Sequence, residues 1–348
     1  MDDNLIEETV KRYIREYDRY KKLSDIVFDI CQIIVEKNLT VRATVQHRAK
    51  SPTSLTEKLR KSSKYQTVNS VFDGISDLAG VRIITYQETD RPKVVEEIRR
   101  TFIGKGNDKI GIEVKDKNGD NGKYYKATHC QVALPSEYLI DNLNLKNTMC
   151  EIQVCSLLSH VYNEIEHDLQ YKPRTGNLSK DEKLLIDQLG LITKSGDITI
   201  QRLLEATNER LKLQEGEFVD VHDFTVRMGE LLNIGELFAN NAGLLYDEFL
   251  NLKLDSPETI ISELLTKGET LIDVAKYEYD KLTQYIARRN INITIDKTSS
   301  DLLLLVLLRK KIITILKDHP VISENDRSSR LLRIAQIYKD MVSEKQMK

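Results

Sequence analysis

A chain of 348 residues, 40% hydrophobic and 30% charged, can bury one large core or two ordinary ones and is not a disordered segment. Its 52 basic and 54 acidic residues leave a net charge of −2, so no global field draws it to nucleic acid or membrane, and a polyanion must be held by a local patch. The charged N-terminus lacks a signal-peptide core, no run of about 18 apolar residues occurs, and four scattered cysteines suit neither a disulfide framework nor a zinc site. A cytoplasmic protein with reduced thiols and no membrane association is expected.

Residues 4–37 carry apolar positions at helical spacing, enough for one or two helices. The opposite face holds Arg12, Arg15, Arg19, Lys21 and Lys22, a stripe that could follow a nucleic-acid backbone or simply face solvent. LTVRATVQHR (39–48) then alternates like a strand. In HRAKSPTSLTEKLRK (47–61), Ser51 suits an N-cap and Pro52 the first helical position, with Leu55 and Leu59 on the buried face. The first-turn N–H groups, with Arg48 and Lys50 just before them, form a cradle for a phosphate; a solvated basic helix is the alternative.

AGVRIITY (79–86), HCQVALP (129–135) and MCEIQVC (149–155) read as strands, RPKVVEEIRRTFIG (91–104) as a helix, and DKNGDNGK (116–123) as a loop. From 157 onward the pattern is helical. The fold class expected is α+β: an N-terminal helical segment (1–38), a small mixed sheet flanked by helices (39–175), a helical extension (176–215) and an all-α C-terminal region (216–348). The leucine-rich stretch SSDLLLLVLLRKKIITILKDH must bury against something, the synthetase domain, another copy or a regulatory partner.

Four clusters in the mixed region could do chemistry. The basic segment 48–58 is the first. Asp77 just before a strand and Arg82 within it form the second, with a structural salt bridge as the alternative. The third is GKYYKATHC, which delivers tyrosines, Lys126 and His129 to a strand start, suited to stacking on a base and gripping its phosphates. In the fourth, Glu151 and Gln153 share one strand face, and the next helix carries His160, Glu164, Glu166 and His167; His160 and Glu164 are i, i+4, but the HExxH order is absent. Together they offer cations for a triphosphate, two carboxylates for Mg2+ and for a base, and an aromatic for a nucleobase, without a Walker or kinase motif.

In this order the clusters resemble the synthetase domain of the RelA/SpoT family of pyrophosphokinases over residues 40–175. Arg48, Lys50, Ser54 and Lys58 fit the family's R-x-K-x3-S-x3-K segment, and Asp77-Leu-Ala-Gly-Val-Arg82 its D-[LI]-x-[GA]-[IV]-R segment. The resemblance implies a nucleotidyltransferase-like fold, ATP bound by Arg48, Lys50, Ser54, Lys58 and Arg82, and Mg2+ at Asp77 and Glu151. It makes Glu151 the general base and places Tyr125, Lys126, His129, Gln153 and Glu166 on the acceptor side, Glu166 within an EHxxxYK signature ending at Tyr171-Lys172. Two departures fall on that side: Tyr124 stands in place of a glycine, and Cys155-Ser156 in place of Arg-Thr.

The resemblance implies transfer of the β,γ-pyrophosphate of ATP to the 3′-hydroxyl of GDP or GTP, without the hydrolase region of the long family members. Other readings keep the chemistry and take the 3′-end of tRNA as acceptor, in a toxic enzyme, or make the domain an inactive scaffold. A homo-oligomer or a regulatory partner could engage the C-terminal region.

Overall fold

Val, Ile and Thr at alternate positions build a five-stranded sheet in the computed structural model, which describes residues 2–117, 124–171, 178–319 and 329–346. Most of the expected loop 116–123 and Lys172 lie outside the described residues. Contacts divide the chain into two units, one of residues 1–35 and 41–203, the other of residues 36–40 and 204–348. The sequence suggested a break near 216; the division falls at 203/204, inside a helix, where no change of composition marks it.

In the first unit the strands are β1 (Ala43–Ala49), β2 (Ala79–Thr85), β3 (Gly111–Asp116), β4 (Lys126–Val132) and β5 (Cys150–Ser156), in the spatial order β1-β2-β5-β4-β3. β2 and β5 are parallel and the other pairs antiparallel. The helices are α1 (Asp3–Ile33), α2 (Pro52–Arg60), α3 (Val68–Gly74), α4 (Arg91–Thr101), α5 (Leu157–Tyr171) and α6 (Lys180–Leu211). α1 and α4 pack against the sheet on the side where Val81, Ile83, Ile152, Val154 and Cys130 are buried.

The observed bounds differ from expectation for local reasons. β1 starts only at Ala43, because Ile34–Asn38 form a π-helical turn and Thr40 takes a left-handed φ of 50°. α4 stops at Thr101, where Phe102 becomes extended and Ile103 bridges to Ala133. β3 was not foreseen: GIEVKD mixes charge with two apolar residues, and as an edge strand it leaves Val114 exposed. At α2, Ser51 accepts a hydrogen bond from the Ser54 N–H (3.1 Å), Pro52 opens the helix, and Leu55 and Leu59 are fully buried, as expected.

The second unit is helical: α7 (Val221–Leu231), α8 (Ala242–Asn251), α9 (Pro257–Leu264), α10 (Leu271–Arg289), α11 (Asp301–Asp318) and α12 (Arg330–Gln346). The leucine run of α11, Leu302 to Leu308, lies in the middle of this unit's own core. Its buried carboxylates are paired, Asp301 with Arg330, and Glu278 with the Tyr338 hydroxyl (2.6 Å) and Lys281 (2.7 Å). Among the described residues no helix is long and apolar enough to cross a membrane.

Candidate active site

The sheet's other face is polar where the first face is apolar. Strand alternation puts Gln46 and Arg48 of β1, Gly80 and Arg82 of β2, Glu151 and Gln153 of β5, and His129 of β4 on this face. The register aligns them in two rows, Arg48–Gly80–Glu151 and Gln46–Arg82–Gln153–His129. α5 packs over part of the face, touching β2, β4 and β5. At the β1–β2–β5 end lies an open cleft, its walls including Arg48, Lys50, Asp77, Arg82, Glu151 and Gln153.

On the β1 side of the cleft, Asp77 joins two cations of the basic segment. Its carboxylate accepts from Lys50 Nζ at 2.8 Å and Lys58 Nζ at 2.9 Å. The arrangement is clamped from below by a residue that sequence reasoning passed over: the fully buried Tyr13 of α1 donates its hydroxyl to the carbonyl of Lys50 at 2.6 Å, and the Leu78 carbonyl lies 3.3 Å away. An aromatic on the apolar stripe of a helix carries no signal that separates a clamp from ordinary core. Arg48 is exposed, and no side-chain partner is found for it among the described residues. Ser54 stands apart, since its N–H and hydroxyl both bond to Ser51 and serve the helix cap.

Glu151 sits deeper. Its Oε1 accepts from Gln153 Nε2 at 2.8 Å and faces His129 Nδ1 at 3.2 Å, and its Oε2 accepts from Ser76 Oγ at 3.2 Å. Burial works to raise its pKa, but these donors outweigh burial and bring it down to about 2, so the carboxylate is ionised at neutral pH. Arg82 bonds to Glu164 (2.8 Å) and His160 (3.2 Å) of α5 and to Gln153 Oε1 (3.4 Å). The i, i+4 pair of His160 and Glu164 thus grips a guanidinium, and burial followed by the Arg82 charge lowers the His160 pKa. Among the described residues no three His, Cys, Asp or Glu side chains gather as metal ligands. Asp77 and Glu151 share the cleft, and a hard cation such as Mg2+ takes one or two carboxylates with substrate oxygens completing its shell.

Tyr125 packs beside Ile84, Ala127 and Cys155, and burial pushes its hydroxyl up to about 12. That hydroxyl lies 3.0 Å from His129 Nε2. Both departures from the related motifs have a local explanation. The Tyr124 ring turns toward α6, where Gly190 makes room: a Cβ there would lie 2.0 Å from the ring. Cys155 extends the apolar floor under Tyr125, and burial pushes its thiol up to about 12. Two expected residues are not brought to the cluster. Lys126 alternates to the opposite face and pairs with Glu88 (3.1 Å) and Asp116 (3.7 Å), while Glu166 is buried on α5 one turn beyond Tyr162.

The basic stripe of α1 is partly consumed by packing. Arg12 bonds Glu16 and Asn69 and lies over Phe72, and Arg19 donates to Thr148 at 2.5 Å.

Residues 47–176 match the family described as a region found in RelA / SpoT proteins. No curated protein matches the chain. Similar solved structures include a GTP pyrophosphokinase family protein from Streptococcus pneumoniae, 20% identical over 59% of this chain and 98% of that one, with a TM-score of 0.47. Small alarmone synthetase 1 from Bacillus subtilis is 22% identical over 57% of this chain and 97% of that one, with a TM-score of 0.43. The same synthetase bound to its product pppGpp gives 20%, 57%, 98% and 0.43. The match over 47–176 contains every residue that lines the open cleft except Gln46, so the cleft lies within the region similar to RelA / SpoT proteins.

Proposed function

We propose that this domain is a Mg2+-dependent pyrophosphokinase that transfers the β,γ-pyrophosphate of ATP to the ribose 3′-hydroxyl of GDP or GTP, giving (p)ppGpp and AMP. The observation that carries this reading is the meeting, in one open cleft, of the Lys50–Asp77 pair, to which Lys58 also bonds, with an ionised Glu151. Arg48, Lys50 and Lys58 take the triphosphate, and Arg82, fixed by α5, offers a flat guanidinium to the adenine. Asp77 and Glu151 would hold Mg2+, which when bound would neutralise triphosphate charge.

Tyr125 offers its ring to the acceptor base. Glu151 takes the proton of the 3′-hydroxyl, and Oε2, bonded only to Ser76, is the less committed oxygen for that task. The 3′-oxygen forms a bond to the β-phosphorus, the bond from that phosphorus to the α,β-bridging oxygen breaks, and AMP departs with that oxygen.

Incubation with γ-labelled ATP and GDP, GTP or deacylated tRNA tests this reading. Label on the guanine nucleotide is expected. Label on tRNA alone would replace the acceptor, and absence of transfer to all three would favour the scaffold reading.

A further inference from the structure

Tyr125, His129, Glu151, Gln153 and Arg82 form one unbroken row of polar contacts across β4, β5 and β2. From its chemistry we infer that His129 and Gln153 are positioning residues: their polar atoms hold the Glu151 carboxylate and the Arg82 guanidinium in one geometry and do not contact the acceptor. The register sets this up, because His129, Gln153 and Arg82 are direct cross-strand partners, with Glu151 two residues before Gln153 on the same face.

Donor and acceptor roles along the row are dictated by its ends. An ionised carboxylate only accepts, so the groups facing Glu151 Oε1 must be the Gln153 amide N–H (2.8 Å) and the His129 Nδ1–H (3.2 Å). The Gln153 carbonyl is then turned to Arg82, which only donates (3.4 Å). In the Nδ1–H tautomer His129 presents a bare Nε2 to the Tyr125 hydroxyl at 3.0 Å, and in that tautomer the hydroxyl is the donor. Lys115 Nζ, at 3.5 Å from Nδ1, is farther than Glu151 and lies at the limit of hydrogen bonding. Each contact fixes the next: both ring nitrogens of His129 are engaged, and the Gln153 amide has one N–H on Glu151 and its carbonyl on Arg82, so turning either side chain to a ligand breaks its hold on Glu151. The row therefore couples the adenine-side guanidinium to the general base through a single amide.

The catalytic part of this inference rests on the proposed role of Glu151; the hydrogen-bonded row does not, so two readouts are needed. In the full-length protein labelled with 15N-histidine, a two-bond 1H–15N spectrum should show one of the six histidines as the Nδ1–H tautomer. That signal should vanish in His129→Gln and convert to the Nε2–H pattern in Glu151→Ala. A His129 found as Nε2–H in the unmutated protein overturns the row whatever the enzyme does.

In kinetics, His129→Leu and Gln153→Glu should lower kcat by about 30-fold or more with ATP and acceptor KM within about 3-fold. His129→Asn, which keeps an N–H near the place of Nδ1, should recover most of the loss. A raised acceptor KM at unchanged kcat would instead make these residues acceptor contacts and overturn the assignment. If the unmutated protein transfers pyrophosphate to no acceptor, the proposed function fails, and the tautomer alone decides whether the row exists.

Discussion

Glu151 illustrates how a single residue is set by what surrounds it. Its carboxylate is buried, which alone would favour the protonated form, yet three donors converge on it and its pKa falls from 4.5 to about 2. A depressed carboxylate stabilises the fold fully above its unfolded value of 4.5, and that contribution fades as pH falls through 2. Glu151→Gln should therefore be destabilised relative to the parent at pH 7, with the gap in Tm narrowing as the buffer approaches pH 2; a gap independent of pH would contradict the shift. The same variant should lose about 10²–10⁴-fold in transfer rate while still binding ATP. Cys155 shows the opposite case on the same face. Burial pushes its thiol up to about 12, so native protein at pH 8 should leave it unlabelled by iodoacetamide, with labelling only after unfolding in urea. Rapid native alkylation at Cys155, read by peptide mass, would show that the floor beneath Tyr125 is open.

At the scale of elements, the site depends on strand alternation, and that part was legible in the sequence. The i, i+2 pattern of Glu151 and Gln153, the N-cap at Ser51 and the buried pair Leu55 and Leu59 are local periodicities that need no tertiary information. What could not be read was the effect of one element on another. Lys126 lies beside Tyr125 in sequence, but alternation sends the two to opposite faces, and Asp116 and Glu88 take the lysine. Ser54 matched a motif position, yet the cap it completes uses its polar groups. Tyr13 and Ser76 lie in segments whose signal came from their neighbours, Arg12 and Arg15 in one and Asp77 in the other, and carried none of their own. Gly80 separates Arg48 from Glu151 along one row, and a Cβ added there would meet only ordinary contacts, 3.8 Å from the Arg48 carbonyl and 3.9 Å from that of Glu151. Gly80→Val should thus fold with a Tm within a few degrees of the parent while filling the cleft floor, lowering kcat/KM for ATP by about tenfold or more. Unchanged kcat/KM would mean that substrate does not lie over Gly80.

At the scale of the whole molecule, the notable feature is that five residues from the N-terminal part of the sequence, 36–40, belong to the helical unit. They are held there by several bonds: the Asn241 N–H donates to the Asn38 carbonyl at 2.7 Å, the Thr40 hydroxyl to the Ala239 carbonyl at 3.0 Å, and Lys37 pairs with Asp247 at 2.6 Å. Thr40 keeps a left-handed backbone that a β-branched residue avoids, so this seat over-determines its conformation. The contact also needs Gly243. A Cβ at that position would lie 2.4 Å from the Glu36 carbonyl oxygen and 2.7 Å from the Lys37 Cα, both backbone atoms that cannot swing aside. Gly243→Ala should therefore lift the segment from its seat at a cost of roughly 1–3 kcal/mol. In hydrogen exchange followed by mass spectrometry, peptides covering 36–42 should exchange faster in the variant, while the amides of the buried α11 run stay protected. If 36–42 exchange at the parent rate, the segment is held by something other than α8. If α11 loses protection as well, Gly243 supports the entire helical core rather than this one attachment.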